Sequence, residues 1–134
     1  KGGYILLEPE KKPEAIVMAT GSEVGLAIDA ANSLNARGHN IRVVSMPFVQ
    51  RFLAQDAAYR EQVLPKKLNK RLAIEAGVSW YWRPLVGEGG DVIGVDRYGE
   101  SAPAPALFKH FGFTLENVVR RIETLLGQTQ PRLI

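Results

Sequence analysis

The sequence predicts an α/β domain, a mostly parallel sheet lying between helical layers. Three observations carry that expectation. Short apolar runs rich in β-branched residues alternate with stretches whose apolar residues recur at three and four positions. The runs lack polar alternation, so both their faces should be covered, as in a parallel sheet under helices. The first two runs are joined by a link too short for a parallel crossover. With right-handed crossovers elsewhere, the chain reads as one three-layer domain with five strands, four parallel and one antiparallel edge strand, Gly3–Leu7. That domain spans 1–127, with 128–134 as a frayed tail.

The elements follow in order. Gly3–Leu7 (GYILL) is the first strand, and the polar Glu8–Glu14, with Pro9 and Pro13, is a loop. The first strand should therefore run antiparallel to Ala15–Ala19 (AIVMA), at an edge of the sheet. Thr20-Gly21-Ser22-Glu23 then stops a strand and starts a helix: Thr20 with Glu23 fits a capping box, and Ser22 is a rival cap. Val24, Ala27, Ile28, Ala31 and Leu34 make one apolar stripe, and Gly38 ends the helix in the left-handed region. Ile41–Ser45 is the next strand, ended by Met46-Pro47. The pattern over Gln50–Tyr59 is mixed, and Gln55–Val63 holds a short helix broken before Pro65. Leu72–Ala76 is the third parallel strand, Ser79 caps a helix over Trp80–Val86 with Pro84 in it, and Asp91–Val95 is the last strand. Pro103–Phe111 is a short helix ended by Gly112. Thr114 caps the final helix, where Leu115, Val118, Val119, Ile122, Leu125 and Leu126 form the stripe and Gly127 the stop.

Bulk properties exclude several classes. At 134 residues, the chain buries roughly two-thirds of its unfolded surface, enough for a core. It has no cysteine, which rules out a disulfide scaffold and thiolate metal sites and suits a reducing compartment. No apolar run approaches the ~20 residues that span a bilayer. The net charge is +3, and the basic residues include a cluster, Lys66, Lys67, Lys70 and Arg71, and a pair, Arg120-Arg121. No aromatic residues interleave with the cluster, so it reads as a solvated loop and not a nucleic-acid surface. The chain opens at Lys1, without methionine, directly on a strand-like segment, and is expected to be a piece of a longer polypeptide.

Candidate chemistry is sparse. A helix start at the carboxyl end of a strand can hold phosphate, but Glu23 already complements the helix dipole there and would repel an anion. Gly87-Glu88-Gly89-Gly90 follows a helix and precedes a strand, the wrong order for a dinucleotide loop, so it reads as a turn. The two histidines, His39 and His110, have no carboxylates at metal-ligand spacing. Glu75 ends a strand at the carboxyl edge of the sheet, a position open either to function or to hydrogen bonds with the following turn. Trp80-Tyr81-Trp82 packs on the sheet or meets another chain. The polar loop Asp96–Ala102 suits a surface that meets other parts of a larger protein.

Four segments carry a resemblance: KGGYIL, ATGSEVGLAIDA, IEAGVSWYW and VDRYGESAPAPALFKHFGFTLENVV. Together they closely resemble the C-terminal domain of the transketolase family, from Lys1 to about Leu126. The last segment is the most specific. Pyruvate dehydrogenase β-type subunits and deoxyxylulose phosphate synthase carry similar domains. The resemblance implies a five-stranded sheet with one antiparallel strand, and a cytoplasmic homodimer of the pentose phosphate pathway. It implies transfer of a two-carbon ketol unit from a ketose phosphate to an aldose phosphate, with thiamine diphosphate and a divalent metal (Mg or Ca) in the parent enzyme. The family's catalytic, cofactor and metal motifs match no position here, so no residue of this chain is assigned to them. The domain is then expected to serve assembly with the preceding domains, through Trp80–Trp82 and Asp96–Ala102. The alternative is a small-molecule or regulatory module, using a cleft near Gly21, Ser22 and Glu75.

Overall fold

A computed structural model describes residues 1–75, 83–87, 89–94 and 113–127. The elements are β1 (Tyr4–Leu7), β2 (Ala15–Ala19), α1 (Glu23–Asn35), β3 (Ile41–Ser45), α2 (Val49–Leu53), α3 (Ala57–Val63), β4 (Arg71–Glu75), α4 (Arg83–Val86), β5 (Asp91–Gly94) and α5 (Leu115–Leu126). The expected helix at Pro103–Phe111, the cap at Ser79, the aromatic run Trp80–Trp82, the loop Asp96–Ala102 and the tail lie outside the described residues.

The five strands form one sheet in the order β1-β3-β2-β4-β5. Every pairing is parallel except β1 with β3. β1 is thus the antiparallel edge strand, but its neighbour is β3 and not β2. The reason is that β2 is fully buried and flanked by β3 and β4, leaving it no side for a third partner. The β1 ladder slips between Ile5 and Leu7, so that Leu6 is passed over and lies exposed.

Strict alternation along the strands divides the core in two. On one face Val17, Val43, Leu72, Ile74 and Ile93 meet α1 and α5 through Ala27, Ala31, Leu34, Val118 and Ile122. On the other, Ile16, Met18, Val44 and Ala73 meet α2, α3 and α4 through Phe52, Val63, Leu85 and Val86. Each fully buried aliphatic side chain adds about 1.5–3 kcal/mol. α1 needs small residues to lie close on the sheet, which Ala27, Ala30 and Ala31 provide at 0% exposure. The mixed 50–59 stretch resolves into two short helices. The first owes its helical form to burial of Phe52, since five residues are too few to hold a helix alone.

Helix ends follow the expected glycines. The His39 and Gly38 amides donate to Leu34 and Asn35 carbonyls at 3.1 Å each, closing α1 with Gly38 at φ +95°. Gly127, at φ +79°, closes α5. The paired glycines near the start have a different cause. A Cβ on Gly2, which sits at φ +86°, would run into the backbone at Phe48 and Phe52. One on Gly3 would overlap the Met46 thioether. The chain can enter the sheet here only as bare backbone. Gly2 O accepts from Phe48 N–H at 2.9 Å, and Gly3 O accepts from the Tyr59 hydroxyl at 2.6 Å.

Candidate functional site

The chain reverses direction across the sheet at β2: α1 carries it to β3 on one side, and the 46–70 segment carries it back to β4 on the other. In open α/β sheets the crevice at such a switch point, at the strands' carboxyl ends, is the common ligand site. Here it falls at residues 20–23, with β4 ending alongside at Glu75.

The turn at residues 20–23 is not built as either expected cap. Ser22 has helical angles (φ −69°, ψ −18°), and its hydroxyl donates to the Glu23 carboxylate at 2.6 Å. A side-chain cap needs an extended residue whose oxygen can swing back to the second or third amide. Asp56 (ψ 164°) and Thr114 (ψ 152°) are extended, and they do cap, accepting from Tyr59 N–H at 2.8 Å and Asn117 N–H at 3.2 Å. At α1 the amides of Glu23 and Val24 instead close onto the carbonyls of Thr20 and Gly21. Glu23 itself is buried, holding its charge beside the helix start. An anion entering there meets a carboxylate first.

The opposite, amino edge of the sheet carries the larger polar assembly. Arg42 and Arg71 both lie opposite Ile16 in register, one on each neighbouring strand. They thus form a row, arginine–isoleucine–arginine, on the face covered by α3. Arg42 is paired through two 2.7 Å bonds to both oxygens of Glu8, and its third nitrogen donates to the Gln62 and Val63 carbonyls at 3.0 Å each. Among the described residues Arg71 has no carboxylate partner in its hydrogen bonds. It donates to the carbonyls of Leu64 (3.1 Å), Pro65 (2.7 Å), Leu68 (2.8 Å) and Leu85 (2.7 Å). Burial pushes its guanidinium below the ordinary value, and the nearby Glu61 charge partly opposes this. The two arginines satisfy the orphan carbonyls at the end of α3 and fasten the 62–68 segment.

Arg71 is therefore not part of a solvated basic loop, as its neighbours in sequence suggest. The buried cost of a guanidinium on a strand demands a full set of acceptors, and the curled 64–68 segment supplies three of them. Lys66, Lys67 and Lys70 do face water. Arg121 pairs with Asp91, and Arg120 is exposed. His39 Nδ1 lies 3.4 Å from Glu14 Oε1 in a partly buried polar turn. Gly87–Gly90 is a turn, with Gly90 N–H on Gly87 O at 3.2 Å; Glu88 and His110 lie outside the described residues. Among the described residues no group of three His, Asp or Glu side chains could hold a metal ion. No helix among them is long and apolar enough to cross a membrane.

The described residues line a cleft of about 770 Å³ at this amino edge, bordered by Lys12, Lys66 and Lys67 over Pro13, Pro65 and Leu68. The sequence showed Lys66 and Lys67 as one basic cluster but not Lys12 beside them, and it also missed the role of Arg42. The available signal was a lone arginine inside a fully apolar strand, IRVVS, which is unstable there unless completely paired.

Comparison with known proteins completes the picture. The family model described as "Transketolase-like TK C-terminal domain" matches residues 2–114. The chain belongs to this transketolase C-terminal domain family. It is 58% identical to Transketolase 2 of Aliivibrio fischeri, over 95% of this chain and 19% of that protein. It is 56% identical to Transketolase 1 of Vibrio vulnificus over the same shares. Among solved structures, transketolase from Leishmania mexicana superposes with a TM-score of 0.82 at 38% identity, covering 95% of this chain and 18% of that one. The Campylobacter jejuni transketolase superposes at 0.78 and 32% identity, covering 92% and 18%. The chain spans about a fifth of the length of the curated relatives it matches. The superpositions show that the α/β fold of this chain is shared with the matching part of those transketolases.

Proposed function

We propose that this chain is the non-catalytic C-terminal domain of a transketolase, and that its role is assembly. The whole enzyme would move a two-carbon ketol unit from ketose phosphate to aldose phosphate, as a cytoplasmic homodimer in the pentose phosphate pathway. When bound in the parent enzyme, thiamine diphosphate supplies the carbanion chemistry and a divalent metal holds its diphosphate. On this reading the ligands for both come from the domains that precede this one.

What this chain's own residues contribute is rigidity. The observation that carries the reading is the chemistry of the charged groups at the amino edge of the sheet. Arg42, Arg71, Glu8, Asp91 and Arg121 are all engaged with one another or with backbone carbonyls. Groups fastened this way hold elements together and are not available to a reacting substrate. The match to a fifth of Transketolase 2 supports the same view.

The test is ketol transfer from a ketose phosphate to an aldose phosphate, with thiamine diphosphate and Mg²⁺ present. The 134-residue chain alone is expected to show no turnover. Added to a parent polypeptide truncated before this domain, it is expected to raise the dimer fraction in sedimentation. Turnover by the chain alone, or no effect on the truncated parent's assembly, overturns the assignment.

A further inference from the structure

We propose that the cleft at the amino edge of the sheet binds a nucleoside di- or triphosphate, with the phosphates on Lys12, Lys66 and Lys67 and the base over Pro13, Pro65 and Leu68. The cleft's volume, about 770 Å³, suits a small molecule of this size. It lies at the end of the sheet away from the switch point, where the turn at Glu23 disfavours an anion.

Charge points to phosphate. The three lysines come from two separate segments and converge on one opening. All three are exposed, and none is paired with a described carboxylate. Two other charged groups border the space. Glu61 is turned onto the Lys66 amide at 3.2 and 3.3 Å, and Arg42 is held by Glu8 and the Gln62 and Val63 carbonyls. Glu61 keeps its charge, but it is one carboxylate against three lysines, and Arg42 is already matched by Glu8. Ammonium groups on long stems act as point charges, which suits a mobile di- or triphosphate better than a planar carboxylate.

The floor points to a base and not a sugar. Reading sugar hydroxyls takes fixed acceptors, and among the described lining residues the one side-chain acceptor, Glu61, already receives an amide. Two proline rings and a leucine offer instead a stiff apolar bed for a flat ring. The bed is preorganised. Arg42 and Arg71 clamp the carbonyls of residues 62–65 and 68, and Leu68 N–H closes onto Pro65 O at 3.0 Å. The lysine-bearing turn is thus set before any ligand arrives. This site stands whether or not the chain serves assembly.

Isothermal titration of the full chain with ADP, inorganic phosphate and fructose 6-phosphate tests the proposal. ADP is expected to bind saturably and more weakly as salt rises, and more tightly than either other probe. Each of Lys12→Gln, Lys66→Gln and Lys67→Gln should weaken it about two- to fivefold, the effect of one exposed ion pair. The triple variant should lose binding with its circular dichroism unchanged, while Lys11→Gln leaves binding as it was. No saturation with ADP overturns the proposal. So does equal or tighter binding of phosphate or fructose 6-phosphate, or a folded triple variant that still binds ADP as tightly.

Discussion

The two ends of the sheet are held by opposite means. At the amino end long charged side chains reach across elements: Arg42 to Glu8 and α3, Arg71 to the 64–68 segment and α4, Arg121 to Asp91. At the carboxyl end Gly2 and Gly3 make close backbone approaches instead, Gly2 to the backbone of Phe48 and Phe52 and Gly3 to the Met46 thioether, with the Tyr59 hydroxyl on Gly3 O. The difference teaches where each kind of packing belongs. The amino end must terminate α3 in mid-structure, and its loose carbonyls need donors that only arginine can supply several at a time. The carboxyl end must bring an edge strand in close, which only the absence of a side chain permits.

Mutations at each end should break them unequally. Arg71→Met removes the side-chain donors to four carbonyls, of which Pro65 O keeps the Leu68 amide, and should cost about 3–4 kcal/mol by urea unfolding, since each buried carbonyl left unpaired costs on the order of 1–3 kcal/mol. Gly2→Ala should cost about 2–3 kcal/mol, combining a strained positive φ with overlap against the backbone of 48–52. Its effect should appear also as loss of protection at the Phe48 amide in hydrogen exchange. Glu8→Gln keeps the shape of the Arg42 pair but removes its charge. With Glu8 47% exposed, water screens the lost attraction, and a loss of about 1 kcal/mol is expected.

Smaller contrasts sharpen the view of the helix starts. Thr114→Ala should cost about 1 kcal/mol, because its hydroxyl caps α5. Ser22→Ala should fall within about 0.5 kcal/mol, because its hydroxyl meets Glu23 and no amide. Equal effects of the two substitutions would show that Ser22 does cap α1.

Much of the fold was legible because it follows local chemistry. AIVMA and IRVVS are strands with the bounds their apolar runs suggest, and Gly38, Thr114 and Gly127 act as their types demand. The pairing of β1 was not legible, since which strand it joins depends on how β2 is already flanked. The cap at Ser22 failed because a sequence shows the right side chain but not the backbone angles that aim it. The site was less legible still. Arg71 reads as one more member of a lysine-rich run, and only the folded 64–68 segment turns carbonyls toward it. Lys12 and Lys66 stand far apart in the chain, and nothing local says they share an opening.

The slipped register in β1 has a consequence beyond the domain itself. A regular edge ladder would invite a strand from a second molecule to add on, and from there a growing fibril. With Leu6 passed over and the strand only four residues long, the outer rim offers no continuous template. The kink thereby guards the chain against edge-to-edge self-association.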